Sequence, residues 1–154
     1  MFCDRTSFSG NRDEPVVVNG QKIFFRGKRI IDAVIKTRVR DHGLGSAENV
    51  LLAGCSAGGL STYLHADNVG ELVKVAAPAT LKKYKAAPLS AVFLLHDTVE
   101  QKPIYPDHMK YIFNLSNSSG PGSVNDACLA SKADADKWLC NSRRRATGTA
   151  PRPS

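Results

Sequence analysis

A chain of 154 residues, 42% hydrophobic and 23% charged, is long enough for one domain with a real core and too short to expect two. Its balance is basic, 21 Lys+Arg against 14 Asp+Glu for a formal charge of +7; part of that excess lies in the last dozen residues, the other cations are scattered among acids, and aromatics are only 7%. That surface lacks the aromatic interleaving of a base-stacking face, which excludes nucleic acid as the expected partner and leaves an acidic substrate compatible, and no stretch approaches a membrane span or the apolar core of a signal peptide.

In chain order, Val16–Val18 and Lys22–Phe25 read as two short strands about an Asn19-Gly20 turn, closed by Arg26-Gly27. From Lys28 to Asp41 the apolar positions Ile30, Ile31, Ala33, Val34, Ile35 and Val39 predict an amphipathic helix, stopped by His42-Gly43-Leu44-Gly45. An apolar strand, Asn49–Ala53, then runs into Gly54-Cys55-Ser56-Ala57-Gly58-Gly59, and a helix is expected from Ala57 to about Asp67. Together these make one helix–strand–turn–helix portion of an α/β sheet. Pro78 and Pro88 break up the stretch from Lys74 to Leu89, to which no element is assigned. Ala91–Leu95 reads as a buried strand ending at His96-Asp97. Pro103 and Pro106 bracket a loop into a helix over Asp107–Leu115, and a last helix is expected over Asn125–Leu139, capped by Asn125 or Ser123. The end, with Arg143, Arg144, Arg145 and Arg152 among Thr, Gly, Ala, Pro and Ser, has no apolar periodicity and reads as disordered.

Four cysteines, Cys3, Cys55, Cys128 and Cys140, show no zinc-ligand spacing. Cys55, beside the serine, is expected to be a buried thiol or half of a disulfide, while Cys128 and Cys140 flank a helical segment and suit pairing in an oxidising compartment. Asn114-Leu115-Ser116 and Asn117-Ser118-Ser119 both have the form of glycosylation acceptors, mild support for secretion.

The chemistry centres on Ser56. A G-x-S-x-G match between a strand and a helix lifts a serine hydroxyl above the sheet edge, and its small neighbours permit a strained turn and close approach of a substrate. The competing reading is a glycine-rich turn whose serine caps the helix. As a nucleophile Ser56 would use the backbone N–H of Ala57 as an oxyanion donor. A base and an orienting acid are also needed. His65 lies nine residues along the helix, roughly 13 Å away and out of hydrogen-bond reach, and His42 precedes the strand, toward its opposite end. The chain order Ser…Asp…His leaves one internal set, Ser56 with Asp97 as acid and His108 as base.

Taken together, these residues resemble the plant pectin acetylesterase family, related to the animal Notum carboxylesterases. Cys3-Asp4-Arg5-Thr6-Ser7-Phe8-Ser9-Gly10 is similar to that family's Y-C-D-G-x-S-F-S-G segment, with Arg5 in place of glycine; Phe25–Ile30 matches F-R-G-x-R-I; and Leu51–Asp67 matches the nucleophile segment. The likeness is specific over residues 2–72 and patchier over 91–140, where Asn117–Cys128 looks like the stretch before a family cysteine. It implies a partial α/β-hydrolase-like sheet that lacks flanking elements, carried by residues 1–140. Residues 141–154 are unlike the family and read as out-of-frame or intron-derived. It further implies Ser56 as nucleophile and hydrolysis of acetyl esters on galacturonan by an acyl-serine route that needs no metal or nucleotide. The expected partner is acetylated pectin or another acidic polysaccharide, and the expected location the extracellular cell wall. The family's G-G-G-W-C oxyanion segment and its N-x-x-Y-D and C-x-x-H triad contexts have no match, so base and acid transfer to no residue. The alternatives are a non-catalytic polysaccharide-binding remnant and a truncated product with no independent fold.

Overall fold

A computed structural model describes residues 6–142. Two strands, β1 (Val16–Val18) and β2 (Gln21–Ile23), form an antiparallel hairpin in which Val16 pairs with Ile23. Asn19 and Gly20 take φ of 49° and 77°, the left-handed pair that a two-residue hairpin turn demands. Helix α1 (Gly27–Asp41) follows, ending where Gly43 turns left-handed. Strand β3 (Asn49–Cys55), helix α2 (Ala57–Ala76) and strand β4 (Lys83–Leu89) then make a βαβ unit whose strands pair in parallel, from Asn49↔Lys83 to Cys55↔Leu89. A parallel pair needs a crossover of this length, and α2 supplies it.

The last third is helical: α3 (Ile104–Leu115), the single turn α4 (Asp126–Ala130) and a 3-10 segment over Asp134–Asn141. Leu60 and Leu64 of α2 pack with Phe113, Val124, Leu129 and Cys140 into the main apolar cluster, with Phe93 and Trp138 against its flank. Cys128 and Cys140 form a disulfide, Cα atoms 5.8 Å apart, that ties α4 to the 3-10 segment.

Several expectations need correction. The strand beside β3 is Lys83–Leu89, where none was assigned, and Ala91–Leu95 forms only an isolated bridge at Leu94. Among the described residues β4 pairs only with β3, so Pro88 costs no ladder bond on its other side. The helix expected over Asn125–Leu139 breaks after Ala130, with Asn125 as its cap, its side chain accepting from the Cys128 N–H at 2.8 Å. Cys55 is an exposed free thiol, because the strand's alternation turns it away from α2. Cys3 and residues 143–154 of the expected tail lie outside the described residues. Asn141 and Ser142, placed with that tail, are buried, and the Ser142 hydroxyl donates to the Phe93 carbonyl at 2.9 Å.

Candidate active site at the Ser56 elbow

β3 delivers Ser56 to the top of the sheet and α2 begins at the next residue. Ser56 sits at φ 54°, ψ −121°, a conformation that costs a residue with a side chain about 1–3 kcal/mol. Two backbone bonds hold it there: its N–H donates to the Leu89 carbonyl at the end of β4, and its carbonyl accepts from the Leu60 N–H, each at 3.0 Å. The turn is tight enough to require its glycines. A Cβ on Gly54 would stand 2.2 Å from the Gly58 carbonyl oxygen, and one on Gly59 the same distance from that of Leu89. Leu89 is the element that sequence reading missed, because the small residue at position 59 signals a close neighbour without saying which.

Although Ser56 occupies the N-cap position, its side chain makes no capping bond. This decides against the capping reading. The hydroxyl is exposed, and the N–H groups of Ala57 and Gly58, in the first turn of α2, have no carbonyl one turn earlier to bond. These donors and the positive end of a 20-residue helix are suited to stabilising negative charge that develops beside the Ser56 hydroxyl, while attack by that hydroxyl would also require a base.

The remaining candidates are not gathered around it. No hydrogen bond among the described residues joins Ser56, Asp97 and His108 to one another. Asp97 is exposed on the loop after the Leu94 bridge, its carbonyl accepting from His96 Nδ1 at 2.7 Å, and His108 is exposed in the second turn of α3. His42 caps the end of α1. His65 is almost wholly buried, and its Nε2–H donates to the Ser7 carbonyl at 3.1 Å. That bond sets the tautomer, and Nδ1 has no well-formed hydrogen bond among the described residues. Burial holds the His65 pKa below the usual imidazole value, against smaller opposing contributions from the backbone at Ser7 and at Gly122, where no well-formed bond exists.

The stretch around Ser7 explains why several sequence signatures occur together. Ser7 and Phe8 both take positive φ and wrap Ser9 inward. Gly10 accepts from the Lys28 N–H at the start of α1, and Asn11 donates to the Ser116 carbonyl. Ser9, Ser116 and Ser118 form a buried hydroxyl chain, with Ser9–Ser118 at 2.9 Å and Ser116–Ser118 at 2.7 Å. The S-F-S-G, F-R-G-K-R-I and Asn117-Ser118-Ser119 segments therefore meet at one packing junction.

An apolar hollow of about 280 Å³ lies behind the elbow, between α1 and the β3–α2 layer, with Gly54, Gly58, Thr62 and His65 in one wall and Ile31 and Val34 in the other. Among the described residues no helix is long and apolar enough to cross a membrane.

Compared with known proteins, residues 1–143 match the family model for pectinacetylesterase. Pectin acetylesterase 5 of Arabidopsis thaliana is 44% identical over 66 residues, 43% of this chain and 15% of that protein. Pectin acetylesterase 7 of the same plant is 42% identical over 66 residues, 43% of this chain and 16% of its own length. Among solved structures, the Wnt deacylase Notum from Drosophila superposes with a TM-score of 0.72 at 23% identity, covering 92% of this chain and 40% of that one. These alignments therefore span well under two thirds of each of the three proteins, and the Notum likeness speaks for the fold, a Notum-like α/β arrangement with a partial sheet.

Proposed function

The chain belongs to the pectinacetylesterase family, and from that premise we propose that it is a serine carboxylesterase by lineage, acting on acetyl esters of galacturonan. The observation that carries the reading is the elbow: an exposed, uncapped Ser56 at positive φ between a strand and a helix N-terminus. In the proposed reaction the Ser56 hydroxyl attacks the acetyl carbon, and the Ala57 N–H receives the developing oxyanion. An acetyl-serine forms as the sugar oxygen leaves with a proton, and water then releases acetate. Asp97 and His108 enter as acid and base on chain order alone. Residues 1–140 form the esterase-like domain in this reading, and 141–154 a basic extension joined through the packed Asn141 and Ser142. An acidic polysaccharide suits the +7 formal charge, and the family and the disulfide agree with secretion into a plant cell wall.

The separation of Ser56 from a hydrogen-bonded histidine favours a second reading, a polysaccharide-binding protein without turnover. Labelling with a fluorophosphonate, read by intact mass beside Ser56→Ala, separates the two. A single adduct that the variant abolishes supports an activated serine, and hydrolysis of a chromogenic acetate ester should then fall by about 10⁴–10⁶ in Ser56→Ala. Absence of an adduct on cooperatively folded protein overturns the catalytic reading. Retention on pectin that survives both Ser56→Ala and moderate salt would then favour the binding protein.

A further inference from the structure

Two acceptor triplets, Asn114-Leu115-Ser116 and Asn117-Ser118-Ser119, lie within six residues at the end of α3, and the fold treats them differently. Ser116, the hydroxyl residue of the first, is fully buried. Its Oγ donates to the Ile112 carbonyl at 2.7 Å and shares a hydrogen bond with Ser118. Ser118 is buried as well, pinned to Ser9 across the junction. This pins the loop so that Asn117 and Ser119, on either side of Ser118, are both exposed. Asn117 has left the helix at φ 53°, and its Oδ1 accepts from the Ser119 hydroxyl at 3.3 Å, which brings the acceptor amide and the triplet's hydroxyl together at the surface. Asn117 also lines an open hollow of about 290 Å³ with Phe113, Asn114, Ser119, Asp134 and Lys137, so a bulky substituent meets a concave surface there. The Cys128–Cys140 disulfide, a few residues on, belongs to the same oxidising compartment in which such triplets are modified.

We propose that the chain carries one N-linked glycan, on Asn117 and not on Asn114. In the transfer the Asn117 Nδ2 loses a proton and forms a bond to the anomeric carbon of a lipid-pyrophosphate-linked oligosaccharide. The anomeric C–O bond breaks, and the lipid pyrophosphate leaves with the electron pair. The first triplet is disfavoured because its hydroxyl is taken up by the core as α3 packs, and because a glycan one helical turn away competes for the same space. The site is independent of Ser56 and stands whether or not the elbow turns over substrate.

The test is translation of the full chain behind a cleavable signal sequence in the presence of microsomes, taking only protease-protected material, so that export is not required. Enzymatic deglycosylation converts a modified asparagine to aspartate, and peptide mass spectrometry of the unaltered chain locates it. Conversion at residue 117 alone, lost in Asn117→Gln and in Ser119→Ala but retained in Asn114→Gln, is the expected result. Conversion at residue 114, at both positions, or at neither in protected chain overturns the proposal.

Discussion

The two long faces of α2 are both buried but meet different surroundings. Leu60 and Leu64 meet Phe113, Val124 and Leu129, and the Cys128–Cys140 disulfide ties the segments that cover them. On the opposite face Thr62, His65 and Val69 look toward α1, whose Ile30, Ile31 and Val34 line a hollow and stay partly or largely exposed, Val34 at 49%. The open side is also where β3 has no strand on its second edge among the described residues. A helix is stabilised by what its apolar face buries, and α2 is buried on both faces, with Thr62, His65 and Val69 all buried; the loosely covered surface is that of α1, on the far side of the hollow.

The largest effect is expected on the closed side. Phe113→Ala empties a site only 4% exposed and should lower the unfolding free energy by about 3–5 kcal/mol, seen as a shifted urea midpoint. A loss of less than about 1 kcal/mol would mean that the α2–α3 cluster does not hold the fold together.

A middle-sized effect sharpens the comparison at His65, whose side chain lines the open hollow while its Nε2 is held by Ser7. Burial lowers its folded-state pKa, with Lys28 also disfavouring the cation and Asp32 favouring it. Below the unfolded imidazole value the unfolded chain therefore binds the extra proton more readily. The contribution of neutral His65 is complete above about pH 6.5 and is lost progressively below it, as the pH falls toward the lowered folded-state pKa. Stability measured by denaturant at stepped pH should fall as the pH is lowered below about 6.5, and His65→Gln should flatten that part of the curve. An unchanged slope in the variant would assign the pH dependence elsewhere.

The smallest effect on stability belongs to the open side. Val34→Lys should shift the urea midpoint by the equivalent of no more than about 0.5 kcal/mol. The same change should reduce light scattering at high protein concentration, because it places a charge beside an uncovered apolar surface and strand edge. A loss as large as that of Phe113→Ala would show that this face is packed in solution and would end the comparison.

Much of the local structure was legible in the residues. Asn19-Gly20 specified its hairpin turn, the apolar spacing of Ile30 to Val39 specified α1, and Gly54–Gly59 specified the elbow. The misses have a common cause. Lys83–Leu89 carries lysines, alanines and a proline, so nothing in its own pattern announces a strand; its place comes from pairing with β3, 34 residues earlier in register. Ala91–Leu95 is apolar enough for a strand but finds no continuous partner among the described residues. The apolar pattern over Asn125–Leu139 suited one helix, yet the segment breaks after Ala130 and returns so that Cys140 reaches Cys128.

At the site the division is the same. The residues around Ser56 determined by themselves that a serine would stand on a strained strand-to-helix turn, because that geometry depends on glycines and a helix start within a few positions. Only the tertiary structure decided that the Leu89 carbonyl holds the turn, that His65 belongs to the packing junction at Ser7, and that Asp97 and His108 are not hydrogen-bonded to Ser56. Short-range stereochemistry is written in adjacent residues. Which distant backbone groups and side chains meet depends on how whole elements bury their apolar faces, and that is settled only when they pack.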